Sequence, residues 1–205
     1  MSDRTLSVWV GATIIYLYGT VNGEAATFTL LGDGYWQASV PRTSDDNYVL
    51  HLEAYSENGL EGTYDYTLYY GMMPSVIDRA AKDVELQNSK GCYNYEDLNR
   101  VGHNVDFLAG VLKTYGYGGT VTPKTDWAIG DIPTYMQMTL YLTDVITLKD
   151  AFYGTTALPM TMDNIDEDDA NNIEKFLIEI ETNISHMIAA FQRSGVAICG
   201  TEVIL

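Results

Sequence analysis

Between Gly71 and Pro74 the spacing of apolar residues changes from every second position to every third or fourth. A period of two buries one face of a β-strand, whereas a period near 3.6 buries one stripe of a helix. One core cannot serve both patterns economically, so the switch predicts two domains. Residues 1–72 are expected to form a β-sandwich and residues 73–205 a small all-α helical bundle with an apolar C-terminal tail. The fold class is therefore α+β multidomain.

In the first part, six short runs read as strands: 6–10, 13–18, 25–31, 35–40, 48–55 and 63–70. Asn22-Gly23, Asp33-Gly34 and Asn58-Gly59 punctuate them, and such pairs tolerate the positive φ of tight hairpin turns. Alternation is clear in the fifth run, where Tyr48, Leu50, Leu52 and Ala54 oppose Val49, His51, Glu53 and Tyr55. One buried face per strand with frequent turns favours two small packed sheets. Nine of the 16 tyrosines precede Gly71. Tyr16, Tyr18 and Tyr69 are left over once an inward face is chosen, and tyrosine suits protein interfaces or sugar stacking. Ordinary cross-strand pairing is the plainer alternative.

In the second part a helix is expected over 76–87. Another is capped by Asn94 and carries the stripe Leu98, Val101, Val105, Leu108 and Leu112. A third starts near Pro133-Thr134 and buries Met138, Leu142, Val145, Leu148 and Phe152. The last follows Asp163 or Asn164 and carries Ile173, Leu177, Ile180, Ile184, Met187 and Phe191. Four such stripes predict mutual packing. The loop between the second and third helices is long, and its Trp127 is expected to plug the bundle. The tail ending in Val203, Ile204 and Leu205 is either a docked strand or an interface segment.

Charge narrows the range of functions. The chain has 28 acidic and 11 basic residues, a net charge of −17. Nine acids and two bases precede Gly71, and nineteen acids and nine bases follow it. Nucleic acid is not an expected partner of either part, because phosphate backbones need clustered Lys and Arg. The N-terminus lacks the apolar core of a signal peptide, and no membrane insertion is expected. Cys92 and Cys199 form no C-x-x-C pair, so they read as reduced residues of a cytosolically made protein, with a bridge between them left open.

No residue set demands a chemistry. The acidic run D-N-I-D-E-D-D at residues 163–169 lacks the glycine and alternating ligands of a calcium loop, and reads as helix capping. His51, His103 and His186 lie apart, so no zinc site is expected. Nucleophile-elbow and phosphate-loop motifs are both missing. Paired carboxylates of a glycosidase could be formed only by the fold. The reading is no enzyme, no catalytic residue, no metal and no cofactor.

Two resemblances add to this. The stretch G-Y-W-Q-A-S-V-P (34–41) with Y-V-L-H-L-E-A-Y-S-E-N-G (48–59) resembles bacterial immunoglobulin-like repeats of surface and phage proteins, which implies an immunoglobulin-like sandwich. The segments D-R-A-A-K-D-V (78–84), K-G-C-Y-N-Y-E-D-L-N-R-V (90–101), T-P-K-T-D-W-A-I-G-D-I-P-T (122–134) and M-Q-M-T-L-Y-L-T-D-V (136–145) resemble a module of tail and baseplate-type structural proteins of Firmicutes phages and prophages. That likeness implies a virion component, made in the host cytoplasm, whose partners are its own copies and other virion proteins. Tyr16, Tyr18, Tyr69, Val203, Ile204 and Leu205 are the expected interface residues. A rival expectation is an adhesion module that binds a host-surface glycan or protein, with Tyr35, Trp36 and Tyr69 as stacking residues. A capsid decoration or head fibre protein is a further alternative.

Overall fold

The structure is a computed structural model that describes residues 3–43 and 45–202, with side chains described through Phe191. The chain divides into two compact units, Met1–Gly71 and Met72–Leu205. Among the described residues it contains two antiparallel sheets, with seven strands in all, and four helices. This is an α+β mix.

The first unit holds β1 (Arg4–Trp9), β2 (Tyr16–Val21), β3 (Glu24–Ala25), β4 (Thr29–Gly32), β5 (Tyr35–Val40), β6 (Asn47–Ser56) and β7 (Gly59–Tyr69). One sheet has the order β1-β5-β4 and the other β3-β2-β6-β7. Alternation decides which side chains go inward. Leu6 and Val8 of β1, Leu17 of β2, Trp36 and Ala38 of β5, and Tyr48, Leu50 and Leu52 of β6 meet in one apolar cluster. The two sheets thus share a single core. Asn22 and Gly23 (φ 52° and 84°), and Asp33 and Gly34 (φ 49° and 81°), make the tight reversals that their sequence predicts.

One expected strand is two. The run at 25–31 splits, with β3 pairing with β2 in one sheet and β4 pairing with β5 in the other. Phe28 sits in the crossing and is buried. Its burial continues the apolar pattern, so alternation alone cannot mark the break. The run at 13–18 likewise enters its strand only at Tyr16, after Ile14 has been buried in the connection.

The second unit holds α1 (Ala81–Glu85), α2 (Tyr95–Thr114), α3 (Tyr135–Ala151) and α4 (Glu167–Glu202). The starts of the long helices follow capping chemistry. The Asn94 side chain accepts from the Glu96 amide, while Asp97 accepts from the Asn94 amide. Thr134 and Gln137 exchange the same pair of bonds at α3. Asp166 accepts from the Asp169 amide at the start of α4, the capping role expected of the acidic run. Leu98, Val101, Val105 and Leu108 of α2 pack with Val145 and Leu148 of α3 and with Ile173, Leu177, Ile180 and Ile184 of α4. Trp127 is buried in the same cluster.

The helix expected over 76–87 is a single turn. Only Ala81–Glu85 is helical, and none of its residues is buried. Three long helices, not four, build this core. The segment before α1 gives its backbone hydrogen bonds to other elements, as described below, and that overrides its helical spacing.

Within β2, Gly19 pairs with Leu52. A Cβ there would lie 2.2 Å from the His51 carbonyl oxygen and 2.8 Å from Leu52 Cδ2. Backbone must move to admit it. Gly19→Ala is expected to destabilise the first unit by about 1–3 kcal/mol. Hydrogen exchange should show faster opening of β2 and β6, with the α2 amides unchanged.

Candidate functional site

A dense cluster of bonded charged groups lies inside the second unit. Glu174 of α4 sits on the apolar stripe between Ile173 and Leu177 and is fully buried. Its carboxylate accepts from Arg79 Nη2 (2.7 Å), Arg100 Nη2 (2.7 Å), Arg100 Nε (2.9 Å) and the Val76 amide (2.7 Å). Asp97 of α2 accepts from Arg79 Nη2 at 2.7 Å and also bonds Arg100. Two guanidinium groups therefore face two carboxylates, and the cluster is neutral. Burial lowers the pKa of both arginines, but hydrogen bonds and charge from Glu174 and Asp97 outweigh it and hold both above the ordinary value. The guanidinium of Arg79 also lies 5.4 Å from the centre of the Tyr93 ring. Tyr93 and Tyr141 share a hydroxyl–hydroxyl contact, and burial pushes both hydroxyl pKa values up.

This cluster fastens a strap of chain. Asn104 accepts from the Met73 amide and donates to the Met73 carbonyl, at 2.7 and 3.1 Å. Asn171 does the same for Arg79, at 3.0 and 2.9 Å. A side-chain amide carries both an NH2 donor group and a carbonyl acceptor, so it can replace a neighbouring strand. Residues 73–79 are thereby bound to α2 and α4 without forming a helix. The signal in the sequence was Asp97, Asn104 and Glu174 placed on otherwise apolar helical stripes. Buried acids need counter-charges, and Arg79 and Arg100 are those counter-charges.

This arrangement ties the strap to α2 and α4. The four charged groups bond one another. Among the described residues, no three His, Cys, Asp or Glu side chains are gathered as metal ligands would be. The open cleft of about 770 Å3 in the first unit is lined by residues such as Ala25, Thr27, Gln37 and Ser39, with Glu24 and Arg42 as its charged members. No described helix is long and apolar enough to cross a membrane.

The residues proposed for contact fall into separate places. Tyr16 and Tyr18 are 56% and 58% exposed on the outer face of the four-stranded sheet. Their rings are stacked with centroids 6.4 Å apart, and Tyr55 meets Tyr18 edge-on at 5.7 Å. Glu53 accepts from the Tyr55 hydroxyl. Tyr69 is half-buried at the end of β7, paired with Asn47. Val203, Ile204 and Leu205 lie outside the described residues.

The expected stacking platform of Tyr35, Trp36 and Tyr69 does not form. Tyr35 is exposed on the three-stranded sheet, while Tyr69 belongs to the four-stranded one. Trp36 is only 4% exposed and belongs to the core. Neighbouring residues on β5 must point to opposite faces, so Tyr35 and Trp36 cannot stack on one ligand. Trp36 is withdrawn from the binding residues.

Sequence reasoning missed one exposed apolar surface. On α3, Tyr141, Leu142, Val145 and Leu148 face the core, while Tyr135, Met136, Leu140 and Ile146 face outward. The helix is apolar on both sides. Between α3 and residues 160–163 runs a shallow groove of about 150 Å3, with Met160 at its edge 95% exposed. Searches against protein-family models, curated proteins and solved structures find no match for the chain.

Two measurements follow from the polar contacts. Glu174→Gln leaves the buried Arg79 and the part-buried Arg100 facing one carboxylate, and a loss of about 3–5 kcal/mol is expected in denaturant unfolding of the second unit. Glu179 tests pH dependence. Desolvation raises its pKa, but bonds from the amides and hydroxyls of Thr155 and Thr156 win and hold it down at about 2. A carboxylate depressed in the fold stabilises it above the unfolded value of 4.5. That contribution is lost as pH falls from about 4.5 towards 2. Stability should therefore drop less steeply over this window in Glu179→Gln than in the parent chain.

Proposed function

We propose that this chain is a structural protein of a phage tail, baseplate or fibre, acting through protein–protein contacts and without enzymatic activity. In this reading the first unit is an immunoglobulin-like sandwich and the second a small helical bundle. Its partners are copies of itself and other virion proteins, and its place is the virion after synthesis in the host cytoplasm.

The observation that carries the reading is the contrast between buried and exposed side chains. Arg79, Asp97 and Arg100 bond one another or Glu174 in the interior, while the buried Asp144 accepts from the Thr122 amide. Large apolar side chains, by contrast, stand exposed on α3 and on the sheet faces of a chain with net charge −17. Exposed contiguous apolar area in a strongly charged protein marks contact surfaces. The resemblance of the helical segments to tail and baseplate-type proteins points the same way.

A second reading has one observation in its favour. The Tyr16, Tyr18 and Tyr55 rings beside Glu53 offer stacking faces with a polar edge, suited to a host-surface glycan or protein. Adhesion and assembly are compatible in a tail component.

Antibody raised against the purified chain, applied to phage particles from the source genome, is expected to label the tail at repeated, symmetric positions in electron micrographs. Particles that carry no label, and no peptide of this chain by mass spectrometry, would remove the reading. Label confined to the head would move the protein to the capsid alternative.

A further inference from the structure

We infer that the free edge of β7 takes an extended strand from another protein, one that alternates apolar residues with lysine or arginine. The assembly reading can fail while this edge still binds, because the edge requires only that chemistry of its partner.

Hydrogen-bond parity shows which groups are on offer. The Tyr70 amide bonds the Asp46 carbonyl, and the Asn22 amide bonds the Val49 carbonyl. Antiparallel neighbours exchange bonds at every second residue. Leu68, Tyr66 and Tyr64 therefore turn their backbone groups to Tyr48, Leu50 and Leu52 of β6. Thr63, Asp65 and Thr67 turn theirs away from β6, and within the sheet no described strand lies on that side. Their amides and carbonyls form the hydrogen-bonding half of a strand pair.

Packing points to the same edge. Tyr48, Leu50 and Leu52 of β6 are buried in the core. Tyr64, Tyr66 and Leu68 of β7 pack on that core yet are only half-buried, and the Tyr64 and Tyr66 rings stack with centroids 6.2 Å apart. An added strand would cover them with its own inward side chains, which must be apolar. The other edges offer less. Leu6 and Val8 of β1 are already buried, β3 has two residues, and β4 has four with a register shift.

Charge selects the outward half of the partner. Side chains opposite Thr63, Asp65 and Thr67 would share their outer face. Asp65 and Glu53 are exposed on that face, and Glu61 is exposed where the β6–β7 register shifts. His51 Nδ1 bonds Asp65, and the Ser56 hydroxyl bonds Glu61. Residues 47–77 hold the acids Glu53, Glu57, Glu61 and Asp65 and no lysine or arginine. The two bases of the unit, Arg4 and Arg42, both lie against Asp46, past the Leu68 end of the row. A second copy would bring the same β7 acids to the contact, which like charge opposes. Among the described strands Arg4 is the only base, so the occupant comes from a different protein.

The test titrates the full chain into a labelled, end-capped peptide of alternating valine and lysine, about nine residues long, by fluorescence anisotropy. Saturable binding is expected, with slower exchange of the Thr63, Asp65 and Thr67 amides by NMR. The same peptide N-methylated at every lysine keeps its charge but loses the donors that face β7. It should bind about tenfold more weakly or worse. Asp65→Lys should weaken binding of the unmethylated peptide. So should Thr67→Pro, which removes an edge amide without touching a β6 bond. Circular dichroism and melting of both variants should match the parent. A valine–glutamate peptide should not bind.

No binding at millimolar peptide overturns the inference. So does equal binding of the N-methylated peptide, which is charge attraction alone, or slowed exchange at β1 or β4 with β7 unchanged. The N-methylated comparison uses the parent chain, so a misfolded variant leaves the outcome decided. A chain that binds this strand yet is absent from phage particles fails the assembly reading alone. A chain present in particles whose β7 binds no strand fails this inference alone.

Discussion

The second unit depends on one carboxylate. Glu174 lies fully buried on α4, and its two oxygens accept four bonds from α2 and from the strap that precedes α1. Burying a charge is costly unless it is paired and fully hydrogen-bonded, and here both conditions hold. A well-packed apolar replacement could be as stable. The ion cluster adds constraint: it admits only one register of α2 against α4, because Asp97, Arg100 and Glu174 must meet at the same level. It also gives residues 73–79 a fixed path. Without the acceptor on Glu174 the Val76 amide has no partner, and without Asn171 the Arg79 backbone has none.

The apolar half of this design was readable in the sequence, and the polar half was not. Leu98, Val101, Val105, Leu108 and Leu112 are all buried as their spacing requires. Ile173, Leu177, Ile180 and Ile184 follow suit, whereas Phe191, at the far end of the same stripe, is 56% exposed. Spacing reports a face, but not where the neighbouring helices end. The helix expected over 76–87 includes Val76, Ala80 and Val84 at helical intervals, yet the strap takes another path. Its hydrogen bonds go to Asn104, Asn171 and Glu174, partners up to 98 residues away, and local periodicity carries no trace of them. In the β unit, alternation correctly put Tyr48, Leu50 and Leu52 inside. It failed at 25–31, where the chain changes sheets while keeping its apolar rhythm through Phe28. Trp36 was misassigned for a simpler reason, since strand parity already set it opposite to the exposed Tyr35.

The contact surfaces were legible in kind and only partly in place. Tyr16 and Tyr18 stood out because both lie on the outward parity of a strand whose inward residue is Leu17. The outer face of α3 did not stand out. Its inward stripe satisfied the expectation of an amphipathic helix, and the remaining Met136, Leu140 and Ile146 drew no notice. A helix that is apolar on the side away from its own core has more apolar area than its fold requires. The absence of charge over residues 132–143 is the signal that could have found it.

Exposed apolar area and exposed sheet edges both invite association, and the chain treats them differently. β7 is eleven residues long and has a strand partner on one side only within its sheet. Such an edge would accept a strand from any chain, but Glu61 and Asp65 stand exposed along it. Carboxylates on both approaching edges make strand addition between copies unfavourable. The exposed sheet tyrosines are similarly accompanied by Glu53, which Tyr55 already engages. The outer face of α3 presents Tyr135, Met136, Leu140 and Ile146 over several turns, and the exposed Asp150 stands at its C-terminal end.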